Sequence, residues 1–243
     1  MTYENLTFEV RDRVGHVTLN RPDKMNALSL ALREEIVQVM QDAERNRDVG
    51  CIVLSGAGRC FSAGYDLSPE TPSPNFPEDG YVSPEVDNLT GQYAHSLIRY
   101  LWTIWDLTKP VIAQVHGFCL AGGSELASMC DFMFVAEDAS FGYPPVRSIS
   151  VPDTLYFPWK MPMSQAKYLA ISGRSVNGRE AVDIGWATKC FPSDELAEAT
   201  HKEAAAIATI KPDQLAASKR NINRAYEIMG IRTALEEIGR AHV

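Results

Sequence analysis

The chain has 243 residues, 45% of them hydrophobic and 22% charged, the profile of an ordinary globular protein. Its 31 acids against 23 bases give a formal net charge of −8, with no Lys/Arg block. That balance argues against a nucleic-acid or anionic-membrane partner, while a few local bases and amides still suffice for one small anionic ligand.

Five cysteines at irregular spacing read as reduced core residues of a cytoplasmic protein, not as a disulfide frame or zinc site. The histidines have no metal-ligand spacing. The N-terminus carries no apolar signal-peptide core, and no apolar run is long enough to span a bilayer.

In chain order, "LTFEVRDRVGHVTLNRP" predicts two short strands around a turn at Arg13 to Gly15. Pro22 ends the second strand, and "DKMNALS" is a loop. "SLALREEIVQVMQDAERN" has helical periodicity with Ser29 as N-cap. "CIVLSG", Cys51 to Gly56, is a buried strand that runs into the turn "GAGRCFSAGYDL". Ser68 to Gly91, rich in proline and acid, reads as a surface loop. A helix over about Gln92 to Leu107 follows, then the strand "PVIAQVHG", a helix starting near Gly122 and the strand "DFMFVAE". Beyond Asp153 the pattern is mostly helical. A strand-strand-helix cadence recurs through the first two-thirds, which makes the chain α/β.

Two stretches join a buried strand to a glycine-opened turn: "CFSAGYDL" and "LAGGSEL". The first N–H groups of a helix lack internal partners, and glycine lets another group approach the backbone. Two such turns brought together aim a pair of donors at one oxygen, as an enolate or tetrahedral intermediate requires. Within the second turn, Glu125 stands three residues after Gly122 in an otherwise small and apolar run. A carboxylate there is either a capping or salt-bridged structural group or an acid/base in a cleft. No phosphate-binding or nucleophile-elbow motif is present, and nothing marks Ser124 as a nucleophile.

"RPDKMNAL", "FSAGYDL", "VIAQVHGFCLAGGSELASMCD", "ASFGYPPV" and "ISGRSVNGREAVDIGWATKCFP" together resemble the crotonase family, the enoyl-CoA hydratases and isomerases. The five blocks fall in the family's order and cover nearly the whole chain. The resemblance implies a crotonase-like spiral of ββα repeats over residues 1–190. A C-terminal helical region, 191–243, would form a trimer or a dimer of trimers. It implies a coenzyme A thioester as substrate and no permanently bound cofactor.

Residue by residue, the resemblance gives the oxyanion hole to the backbone N–H groups of Tyr65 and Gly122, and the acid/base role to Glu125. It points to Lys24, Met25 and Ala27 beside the adenine and pantetheine, with Ser62, Ala63, Asp66 and Leu67 lining the channel. Arg59, Lys219 and Arg220 are candidates for a phosphate, against ordinary solvated charge. His116 reads as a hydrogen-bonded structural residue.

The pattern breaks at Pro145, where hydratases of the family carry a second glutamate. Hydration places water on Cβ and a proton on Cα, and two carboxylates move those protons. Asp153 is a substitute, since some relatives use an aspartate there; a turn or helix cap is its other reading. The aromatics Tyr143, Tyr156, Phe157 and Trp159 are core packing first and an acyl-pocket wall second. The expected activity is hydratase or double-bond isomerase. The alternatives are a C–C or thioester hydrolase on the same site, or a non-catalytic acyl-CoA-binding protein.

Overall fold

The computed structural model describes residues 2–68, 92–148, 151–152 and 154–238. All but the first residue of the proline-rich loop expected over Ser68 to Gly91 lies outside them. Strands β1 (Leu6–Arg11) and β2 (Val14–Leu19) form an antiparallel hairpin. Its turn is Asp12–Arg13, with φ of 50° and 63°, not Arg13 to Gly15. Two residues at positive φ match the twist of the flanking strands. Gly15 sits inside β2 instead, where a Cβ would come within 3.0 Å of the Phe8 ring.

Helix α1 (Leu30–Arg45) starts as expected: Ser29 Oγ accepts the Leu32 N–H at 3.2 Å. Strand β3 (Cys51–Gly56) lies parallel between β2 and β4 (Val111–Val115), which explains its unbroken apolar run. Helix α2 (Gln92–Asp106) precedes β4. Then come β5 (Phe118–Leu120), α3 (Gly122–Ser128), β6 (Phe132–Ala136) and β7 (Ser140–Gly142). A 3-10 turn at Pro144–Arg147 and helices α4 (Phe157–Lys160) and α5 (Met163–Ser172) follow. The chain continues through β8 (Val176–Asn177), α6 (Gly178–Asp183) and β9 (Lys189–Phe191). Helices α7 (Leu196–Ala208), α8 (Pro212–Ile228) and α9 (Ile231–Ile238) come last. Strands β8 and β9 interrupt the region read as helical; at two and three residues they are too short to carry a period-2 signal.

The strands form two sheets. One has six strands in the order β1-β2-β3-β4-β6-β9; the other has three, β5-β7-β8. Successive passes give one strand to each sheet before turning: β4 then β5 and α3, β6 then β7 and the 3-10 turn. This is the spiral of ββα units that the resemblance implies. The boundary expected after residue 190 falls within β9, which pairs with β6. Helix α7 packs on the large sheet so closely that a Cβ on Gly50 would lie 2.9 Å from Ala208 O.

Helix α8 is tied down by Lys219, which is only 8% exposed. Its Nζ donates to Ile104 O and Lys109 O at 3.1 Å and to Asp131 Oδ2 at 2.8 Å. Lys219 is therefore a buried structural cation, neither a phosphate ligand nor a solvated charge. No helix among the described residues is long and apolar enough to cross a membrane.

Candidate active site

Three threads of chain run side by side and build the site. Phe61 N–H donates to His116 O at 2.9 Å, Ser62 N–H to Phe118 O at 3.1 Å, and Leu120 N–H returns to Ser62 O at 3.1 Å. On the other side, Ala63 N–H donates to Met25 O at 3.0 Å and Leu28 N–H to Gly64 O at 2.8 Å. The "DKMNAL" loop, the "FSAGYDL" turn and the "GFCLAGG" turn are thus zipped into one body. Asn26, fully buried, staples it: its Nδ2 donates to Ala57 O and Cys60 O, both at 2.9 Å, and its Oδ1 accepts the Arg21 N–H. Met25 and Asn26 both have φ of 52°, a conformation asparagine tolerates better than most side chains.

Gly64 and Gly122 meet where the turns cross. At Gly64, with φ of 107°, a Cβ would lie 3.0 Å from Leu120 O and 3.3 Å from Gly122 N. The close approach leaves no room for a side chain and brings the backbone of Tyr65 beside that of Gly122. Ala121, just before, holds φ 48° and ψ −126°, strained for a residue with a Cβ. Strain of this kind costs about 1–3 kcal/mol and collects at functional sites. Here it turns the chain into α3, and Gly122 N–H donates to no described residue.

Glu125 lies in the first turn of α3 and is fully buried. Both carboxylate oxygens are engaged: Oε2 accepts the Tyr65 hydroxyl at 2.6 Å, and Oε1 accepts the Thr154 N–H at 3.0 Å. These hydrogen bonds compensate the burial of the carboxylate. The face of the Tyr65 ring lies against Gly122, with ring carbons 2.8–3.0 Å from where a Cβ would be. Arg33 of α1, 6% exposed, places its guanidinium carbon 5.6 Å from the centre of the same ring. Its Nε has no hydrogen-bond partner among the described residues, and neither does the buried Thr154 Oγ1.

The residues expected around coenzyme A divide into two groups. Lys24 and Leu67 are exposed, and Met25, Ala27 and Ala63 are half-buried, all on the stapled threads. Ser62 and Asp66 are engaged internally. The Ser62 hydroxyl donates to Asn26 O at 2.8 Å and accepts Gly64 N–H at 3.2 Å. Asp66 forms an ion pair with Arg21 at 2.8 Å and accepts both the amide and the hydroxyl of Ser68. Burial works against ionisation of Asp66. The Ser68 hydrogen bonds and the Arg21 guanidinium outweigh it and hold the carboxyl down at about 2.

Among the remaining expectations, His116 is hydrogen-bonded through Nε2 to Gly58 O at 2.9 Å. Tyr143, Tyr156 and Phe157 are buried, and Tyr156 stacks on Phe157 with centroids 4.5 Å apart, so this run is core. Ser124 Oγ donates to Ala121 O at 2.7 Å and shares a 2.8 Å hydrogen bond with Tyr156 Oη. Pro145 lies in the 3-10 turn and its carbonyl accepts Ser148 N–H. Asp153 lies outside the described residues. All five cysteines are free thiols; burial pushes Cys51 and Cys130 up to about 12. No group of His, Cys, Asp or Glu among the described residues is arranged to hold a metal ion.

A two-sheet ββα spiral of this form is the crotonase fold. A probable enoyl-CoA hydratase from Mycobacterium thermoresistibile superposes with a TM-score of 0.87 at 28% identity, covering 98% of this chain and 94% of that one. Residues 9–239 match the family model for enoyl-CoA hydratase/isomerase, and the chain belongs to that family. A probable enoyl-CoA hydratase of Rhizobium meliloti is 33% identical over 231 residues, 94% of this chain and 84% of the relative. The hydroxycinnamoyl-CoA hydratase-lyase of Pseudomonas fluorescens is 28% identical over 236 residues, 93% and 80% of the two chains.

Proposed function

We propose that the chain acts on an enoyl thioester of coenzyme A as a hydratase or double-bond isomerase. The thioester oxygen is held by the N–H groups of Tyr65 and Gly122, and Glu125 moves the proton. The observation that carries this reading is Glu125 itself. It is a fully buried carboxylate at the head of α3, beside the crossing of two glycine turns and held by two hydrogen bonds. Negative charge that develops on the thioester oxygen as an enolate forms is stabilised by preorganised amides more than the ground-state carbonyl is. Isomerisation needs one base that removes a proton and returns it at another carbon. Hydration needs a second proton carrier, and Pro145 has none to give. For that role the sequence offers Asp153, and the Tyr65 hydroxyl, 2.6 Å from Glu125 Oε2, is a second candidate.

On this reading Lys24, Met25, Ala27, Ala63 and Leu67 flank coenzyme A, while Ser62 and Asp66 keep that surface in shape. The 191–243 region carries trimer contacts in a cytoplasmic enzyme. The exposed Ile222, Ile228 and Met229 of α8 and its end support that assignment as apolar surface available to a partner.

The test is a panel of saturated and α,β-unsaturated thioesters, aromatic and cyclic acyl groups included, read by mass spectrometry. Gain of one water or migration of the double bond is expected. Release of free coenzyme A or cleavage of the acyl chain would make the site a hydrolase, and binding without change on every member would make it a binding protein.

A further inference from the structure

We propose that the side chain of Tyr65, and not only its backbone N–H, is catalytic: its hydroxyl protonates Cα of the thioester enolate and is reloaded by Glu125. The inference rests on the reading above and deepens it. Three observations meet at this ring. Its hydroxyl donates to Glu125 Oε2 at 2.6 Å, the short distance of a charge-assisted O–H···O⁻ bond. Its ring lies against Gly122, the residue whose N–H serves the thioester oxygen. The Arg33 guanidinium, nine-tenths buried and with an unsatisfied Nε, stands 5.6 Å from the ring centre.

A buried cation without a full set of partners is costly. A ring that becomes negative during turnover explains why one is kept there: like any nearby opposite charge, the guanidinium stabilises the phenolate left after proton loss.

The step balances. Water adds its oxygen to Cβ while Glu125 takes a proton from it. The π electrons of the double bond move through Cα to the thioester oxygen, which the Tyr65 and Gly122 amides hold. The enolate then re-forms its carbonyl and takes the hydroxyl proton of Tyr65 at Cα. The phenolate recovers a proton from the protonated Glu125 along the same hydrogen bond. One water has been added, and both side chains are restored. The pair does the work of the two carboxylates used by hydratases that carry a glutamate at the place of Pro145.

The test uses the purified full chain and crotonyl-CoA, with loss of enoyl absorbance as readout. Tyr65→Phe deletes one oxygen and keeps the ring. We expect kcat to fall about 10²-fold or more, as for loss of a positioned acid, with KM within threefold. The pH profile separates proton donation from positioning. With 3-fluorotyrosine placed at position 65 alone, the phenol is more acidic and the alkaline limb of kcat moves to lower pH; Arg33→Met moves it to higher pH. A limb that stays fixed in both overturns the proposal, as does Tyr65→Phe with kcat within threefold of wild type. Faster turnover in Tyr65→Ala would make the ring a plug. A hundredfold loss in Asp153→Asn beside a near-normal Tyr65→Phe would make the aspartate the second proton carrier. A wild-type chain inert toward every thioester of the panel refutes the enzymatic reading itself, a result distinct from all of these.

Discussion

Asp66→Asn tests how the turn that presents Tyr65 is held. The Asp66 carboxylate pairs with Arg21 at 2.8 Å and accepts two hydrogen bonds from Ser68. Its folded pKa is depressed from 3.8 to about 2. One pKa unit is worth about 1.4 kcal/mol, so ionised Asp66 contributes about 2 kcal/mol to stability. The sign follows from linkage. A depressed carboxyl binds its proton more weakly when folded, so the contribution is complete above about pH 4 and disappears as the pH falls through about 2. About half is gone by pH 3 on the same values.

Asparagine keeps the shape and a hydrogen-bond acceptor but does not titrate. Urea unfolding of wild type and Asp66→Asn at pH 6 and pH 3 should show a gap of about 2 kcal/mol that narrows to about half. At pH 6 this corresponds to a Tm lower by roughly 4–8 °C in a chain of this size. Equal stability at pH 6, or a gap that does not narrow at pH 3, would refute the assignment of the Arg21–Asp66 pair as the clamp on this turn.

Two further outcomes are expected. Pro145→Glu restores the carboxylate that hydratases carry, on a backbone φ that glutamate adopts readily; combined with Tyr65→Phe it should recover at least tenfold of the lost crotonyl-CoA hydration. No recovery would mean that position 145 does not face the reacting carbons. Lys219→Met leaves the half-buried Asp131 and the carbonyls of Ile104 and Lys109 without their donor and should cost about 1–3 kcal/mol in urea unfolding while KM for the thioester stays unchanged. A raised KM with normal stability would return Lys219 to the phosphate site.

Much of the framework is legible from residue pattern. The apolar run of β3, the Ser29 cap and the two glycine turns each follow from one local rule and reappear in the fold. Glu125 is legible too, because an acid in a small, apolar run demands an explanation. What the pattern hides is contact across distance. Tyr65 and Glu125 are 60 residues apart, and only the crossing of Gly64 over Gly122 brings hydroxyl to carboxylate. The Thr154 N–H is a backbone donor, and no residue type marks it. Arg33 falls on the buried face of an amphipathic helix, and that face predicts an apolar residue rather than a cation over a ring. Asn26 left a signal in the turn chemistry of "KMNAL", since asparagine favours positive φ, but its staple to Ala57 and Cys60 belongs to the tertiary fold.

The central claim is that Glu125 is an acid/base beside a thioester held by two amides. Its most direct test is hydrogen exchange at Cα of butyryl-CoA in deuterated water, followed by mass spectrometry for wild type and Glu125→Gln. Butyryl-CoA has no double bond to hydrate, so exchange reports only enolate formation and reprotonation. Wild type should incorporate deuterium at Cα, and Glu125→Gln should lose exchange while binding changes by less than about tenfold, under about 1.4 kcal/mol. Exchange at the wild-type rate in Glu125→Gln would remove the glutamate from the chemistry and contradict the account.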